Sequence, residues 1–76
     1  MARLRTVKPK QAIKVFEKLG FQVDRRKGSH ISMTKQGCSR PVVIPDHREI
    51  AIGTLKGNMR TAGIDLDEFE SLLQGL

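Results

Sequence analysis

The spacing of apolar positions changes twice along the chain. Ala12, Ile13, Phe16 and Leu19 recur at helical intervals, which predicts a first helix from Pro9 to Leu19 with that stripe buried. Pro9 suits the first helical position, where its missing N–H goes unused. Gly20 supplies a left-handed stop. From Phe21 the period falls to two. Phe21 to Arg26 reads as a strand, with Phe21 and Val23 facing the core and Gln22, Asp24 and Arg26 facing away. In His30 to Lys35 the inward positions are Ile31 and Met33, and the outward ones are His30, Ser32 and Thr34. A third strand, Arg40 to Ile44, turns Val42 and Ile44 inward and Val43 outward. Pro41 and Pro45 bracket it and favour a short or edge strand. Lys27-Gly28-Ser29 forms a tight link between the first two strands, and Lys35 to Ser39 links the second to the third.

Helical spacing then returns. Asp46 to Ile52 reads as a loop, followed by a helix from Gly53 to Ala62 with Ile52, Leu55, Met59 and Ala62 on its apolar side and Gly63 as its stop. Gly57 costs this helix about 1 kcal/mol relative to Ala, so packing must hold it. Asp65 caps a last helix, with Glu68 three residues on in capping-box register and Leu66, Phe69, Leu72 and Leu73 as the packing face. Asp65, Asp67, Glu68 and Glu70 gather near its start, where they suit the helix dipole. The expected class is α+β: an α-β-β-β-α order with a C-terminal helix, and a three-stranded antiparallel sheet covered by helices on one face and open on the other. His30 falls on the open face by alternation.

The length, 76 residues, fits one domain over residues 1–76 with a thin core. No apolar run is long enough to span a membrane, and Met1-Ala2-Arg3-Leu4-Arg5 lacks a signal-peptide core, so a cytoplasmic location is expected. Cys38 is the only cysteine. It has no partner for a disulfide or a zinc site and reads as a reduced thiol.

Charge sharpens this picture. Residues 1–40 carry eleven Lys and Arg against two acids, a net +9, whereas residues 41–76 carry three against six, a net −3. A basic half joined to a mildly acidic tail suggests one positive face and a polyanionic partner. Lys10, Lys14 and Lys18 recur every four residues on one face of the first helix, with Lys8 just before it.

The segment Lys27-Gly28-Ser29-His30 is the richest in chemistry. Arg25, Arg26 and Lys27 are consecutive cations beside it. Gly28 lets backbone approach a ligand closely. Ser29 can donate to a phosphate oxygen. A histidine at position 30 can both take and give a proton. Neutralised oxygens, a positioned backbone and a proton-transfer group are what phosphodiester cleavage needs. The same residues also suit a plain hairpin turn with a surface histidine. His47, in Pro45-Asp46-His47-Arg48-Glu49, is the candidate for a second acid or base, although a loop-fixing or partner-binding role is the favoured reading. No metal-ligand spacing, phosphate loop or dinucleotide pattern is visible, and no cofactor is called for. Base stacking is not expected to dominate, because Phe16, Phe21 and Phe69 all fit the core periodicity.

A family resemblance joins these pieces. Leu19-Gly20-Phe21, Arg26-Lys27-Gly28-Ser29-His30, Val42-Val43-Ile44-Pro45, Gly53-Thr54-Leu55, and Ala62-Gly63-Ile64 with Glu68-Phe69 together resemble the HicA toxin family over residues 8–73. The resemblance implies a fold like the double-stranded-RNA-binding domain. It also implies a messenger-RNA endoribonuclease that halts translation until a HicB antitoxin binds. The histidine after Gly-Ser would be catalytic, and here that is His30. Gly28, Ser29, Lys27, Arg25 and Arg26, helped by Lys8, Lys10, Lys14 and Lys18, would hold the RNA. Two features depart from the pattern. Asn58 stands where the family usually has an aliphatic residue, beside Gly57, and Arg3 to Lys8 form an extended basic lead-in. The first departure predicts a weakened second helix. The rival readings are a non-catalytic RNA-binding module and a protein-interaction domain with a basic face.

Overall fold

The computed structural model describes residues 6–76. Arg3 and Arg5, part of the basic lead-in, lie outside the described residues. The elements are α1 (Pro9–Lys18), β1 (Gln22–Lys27), β2 (His30–Thr34), β3 (Val42–Pro45), α2 (Ile52–Ala62) and α3 (Leu66–Gln74). The strands form an antiparallel meander in the order β1-β2-β3. This is the expected α+β order, α-β-β-β-α with a further C-terminal helix.

The core lies between the helices and one face of the sheet. Ile31, Met33, Val42 and Ile44 reach it from the strands, meeting Phe16 of α1, Leu55 and Met59 of α2, and Phe69 of α3. Phe16 is the hub: its ring meets Phe21 edge-on and Phe69 at a tilt, both at 5.9 Å between centroids. All three phenylalanines are buried, as their spacing predicts. The α1 stripe is turned slightly from the one expected. Ala12, Val15 and Phe16 are fully buried, whereas Ile13 and Leu19 sit at the margin. The α3 cap forms as read, with the Glu68 N–H donating to Asp65 Oδ1 at 2.8 Å.

Two predicted core positions are exposed. Val23 is 50% exposed, because β1 is an outer strand and the helices pack chiefly against β3. Ile52 is 43% exposed at the first turn of α2. Ile50 takes the buried place instead. The Ile50 N–H donates to the Val7 carbonyl at 2.9 Å, and both side chains are fully buried. This single bridge ties the segment before α1 to the loop that carries His47.

A β-bulge in β1 reverses its expected alternation. Val23 pairs with Met33, but the register shifts before Arg25, which pairs with Ser32. Arg26 then pairs with Ile31 and Lys27 with His30. Directly opposed residues project from the same face. Arg25 and Lys27 therefore share the open face with Ser32 and His30, while Arg26 points to the helix side. The expectation that Arg26 faces outward is corrected by this one extra residue.

Asn58 also departs from expectation. Its side-chain oxygen accepts from the Val43 N–H at 3.2 Å, and its side-chain nitrogen donates to the Val43 carbonyl at 2.8 Å. The amide thus pairs with both backbone groups of Val43, which point away from β2 along the outer edge of β3. Rather than loosening α2, Asn58 fastens it to the sheet and blocks that edge from pairing with another chain.

Candidate active-site cleft

His30 owes its position to the hairpin before it. Lys27 and His30 close a two-residue loop whose first member, Gly28, has a φ of 59°. Ser29 has no positive φ, so the turn carries the type II′ signature of Gly at the first central position. A Cβ at Gly28 would meet nothing within 4 Å, which makes its glycine a matter of backbone conformation and not of space. The Ser29 carbonyl accepts from the Asp46 N–H, which extends the β2–β3 pairing by one step. His30 is exposed on the open face, opposite Pro45 on one side and Lys27 on the other.

Beside it lies a cleft of about 460 Å³ whose lining includes His30, His47, Glu49, Thr54 and Asn58. Val43 and Pro45 contribute apolar wall. The cleft runs between the outer side of β3, the loop after it and the first turns of α2. Both histidines of the chain line it, although 17 positions separate them.

The sequence model of the HicA toxin, described as a toxin of bacterial toxin–antitoxin systems, matches residues 9–64. The chain belongs to the HicA toxin family. It is therefore a toxin of a bacterial toxin–antitoxin system, with an antitoxin as its partner. Comparison with individually curated proteins gives no match. The matched span runs from the first residue of α1 past the end of α2, and so includes the whole hairpin and both histidines.

In this HicA-family toxin the basic candidates divide among three places. Arg25 and Lys27 stand on the open face with His30. Arg25 lies beside the Asp24 carboxylate, with Nε 3.6 Å from Oδ2. Arg26, on the other face, is ion-paired with Asp46 just beyond β3. Lys10, Lys14 and Lys18 are exposed on α1, in the helix layer, and do not line the His30 cleft. Lys18 Nζ donates to the Gly75 carbonyl at 3.0 Å, and Lys8 is exposed just ahead of the helix.

Glu49, Thr54 and Asn58 are not among the site residues that the sequence alone points to. The available signal is the polar pair Thr54 and Asn58, one turn apart on α2 and off its buried Leu55–Met59 line. Among the described residues, no cluster of three or more His, Cys, Asp or Glu could hold a metal ion, and no helix is long and apolar enough to cross a membrane.

Proposed function

We propose that this toxin is a messenger-RNA endoribonuclease that works by acid–base catalysis without a metal, with His30 at its centre, and that a HicB-type antitoxin silences it. The observation that carries the reading is the placement of His30 on the open, cationic face of the sheet and in the wall of a cleft shared with His47. An exposed imidazole there can move a proton as well as contact RNA, and simple binding does not require the proton transfer.

RNA supplies its own nucleophile. Removal of the 2′-hydroxyl proton lets O2′ bond to phosphorus, and the P–O5′ bond breaks as the leaving oxygen takes a proton. The products are a 2′,3′-cyclic phosphate and a 5′-hydroxyl end. The protein need move two protons and stabilise charge on the phosphoryl oxygens. His30 takes one of those proton transfers. Lys27 and Arg25 offset the phosphate charge from the same face. The backbone of Gly28 and the Ser29 hydroxyl approach the phosphate at the turn. The α1 lysines, with Lys8, draw the polyanion in by their field, whereas the Arg26 charge is largely offset by its ion pair with Asp46.

The direct test is His30→Ala. Binding to single-stranded RNA is expected to persist, because one imidazole adds little to a field of cations. Cleavage is expected to fall by about 10²–10⁴-fold, the usual worth of a positioned acid–base group. Wild-type protein that binds RNA and never cuts it would instead establish the non-catalytic RNA-binding module.

A further inference from the structure

The His30 cleft does not end at α2. A second cleft, of about 540 Å³, adjoins it and shares Thr54 and Asn58 in its lining. Its other walls include Arg40, from the segment before β3, and Arg60, from the last turn of α2, together with Ser39 and Gly57. Among the described residues neither arginine has an ion-pair partner. Arg40 is held in place from behind. The Cys38 thiol donates to the Arg40 carbonyl at 3.3 Å and lies 3.6 Å from the Thr61 carbonyl, which pins this segment to α2.

Two guanidiniums without acidic partners, in a cleft that also presents hydroxyls, suit an anion with several oxygens. Each guanidinium offers a planar fork of N–H donors that matches phosphate geometry. Gly57 points the same way. It is helical, its φ is not positive, and a Cβ built there would meet nothing within 4 Å. Neither backbone conformation nor packing requires glycine there, at a position where any side chain would enter the cleft. Glycine at this position leaves the helix backbone open to a ligand in the cleft.

We propose that the cleft between Arg40 and Arg60 is a second phosphate subsite, which holds a nucleotide flanking the one cleaved at His30. This rests on the ribonuclease reading above. Single-stranded RNA then runs along the outer side of β3, from the His30–His47 cleft past Thr54 and Asn58 to the two arginines. From Pro45, beside His30, back to Arg40 the chain covers roughly 16 Å if extended, a span of a few nucleotides.

The test is the dependence of affinity on RNA length, measured in the His30→Ala background so that nothing is cut. Labelled oligonucleotides grow from a dinucleotide by extension on the 5′ or the 3′ side. The parent is expected to gain affinity as one of the two extensions reaches the subsite. The Arg40→Gln/Arg60→Gln variant is expected to lose about tenfold of that gain, with a salt slope shallower by roughly 0.7. Gly57→Gln is expected to flatten the same gain while its thermal midpoint holds or rises, since Gln is the better helix former. That removes unfolding as the cause. A length dependence unchanged in both variants would overturn the subsite. If His30→Ala cut RNA like the wild type, the catalytic assignment would fail while the loss at Arg40 and Arg60 still stood.

Discussion

Lys27 and His30 stand directly opposite each other at the closed end of the β1–β2 hairpin, with their side chains on the same face of the sheet. Opposed residues of an antiparallel pair place their Cβ atoms about 4.5–5.5 Å apart. Backbone pairing alone thus anchors the stem of a cationic side chain beside the imidazole. The bulge between Val23 and Arg25 is what makes this so. Without it, strict alternation would turn Arg25 and Lys27 to the helix side.

The bulge yields a prediction that distinguishes three adjacent cations. Lys27→Ala and Arg25→Ala are expected to weaken binding to single-stranded RNA and to lower the salt slope by roughly 0.7 for each phosphate that is no longer neutralised. Arg26→Ala is expected to leave affinity near the wild-type value. Its ion pair with Asp46 is about half exposed on both sides, so stability should fall by no more than about 1 kcal/mol. Salt titrations of the three variants measure this. A larger loss for Arg26→Ala than for Lys27→Ala would put the RNA on the opposite face.

Two glycines are expected to respond to alanine with opposite signs. Gly28 has a φ of 59° in the hairpin turn, a region that costs an L-residue roughly 1–2 kcal/mol. Gly28→Ala should therefore lower the thermal midpoint and, by loosening the turn that sets His30, reduce cleavage as well. Gly57 is helical with open space at its Cβ, so Gly57→Ala should raise stability by about 1 kcal/mol. Thermal unfolding of the pair checks both directions, and a stabilising Gly28→Ala would contradict the turn assignment.

Asn58 gives a third prediction. Its amide makes two hydrogen bonds to the outer edge of β3 and is only 8% exposed. Asn58→Ala leaves the Val43 N–H and carbonyl unpaired in a partly buried place, which should cost about 1–3 kcal/mol. For a domain of this size that is a fall of roughly 4–24 °C in thermal midpoint. Asn58→Asp keeps an acceptor for the N–H but turns a carboxylate on the Val43 carbonyl, and it should be no more stable than the alanine variant. Wild-type stability in both would mean that α2 holds the sheet through Leu55 and Met59 alone.

The helices and strands are legible in the sequence because their apolar periods are long enough to see. Ala12 and Phe16 mark α1, Ile31 and Met33 mark β2, and the Asp65 cap marks α3. What escapes is set by single residues. Nothing in the alternation of Val23, Asp24 and Arg25 marks a bulge, because a bulge is a mismatch between two strands and is written in neither. Ile50 and Val7 lie in irregular segments, so no period identifies them as core. The site is legible in part for the same reason. The Gly-Ser-His turn is contiguous and reads directly as a place where a histidine meets cations. The cleft that His30 shares with His47, Glu49 and Thr54 exists only after β3 and α2 pack side by side. Asn58 reads as a weak point in a helix because its partner, the free edge of β3, belongs to a different element.

The chemistry itself is tested through His47. Cleavage by the 2′-hydroxyl needs one group to accept a proton and another to deliver one, on opposite sides of the phosphorus. His30 can serve only one of these roles in a given step. His47 lines the same cleft, carried by the loop that the Val7–Ile50 bridge anchors. If His47 is the second group, His47→Ala should reduce cleavage by about 10²–10⁴-fold, and the double variant His30→Ala/His47→Ala should be little worse than either alone, since both serve one transition state. A purely structural His47 would give a mild loss that multiplies with the loss from His30→Ala. In either case the mechanism expects a 2′,3′-cyclic phosphate product, no cleavage of DNA, which lacks the nucleophile, and full activity in EDTA. An end group analysed by mass spectrometry as a linear 3′-hydroxyl with a 5′-phosphate would require water as the nucleophile, and the 2′-hydroxyl mechanism would then be wrong.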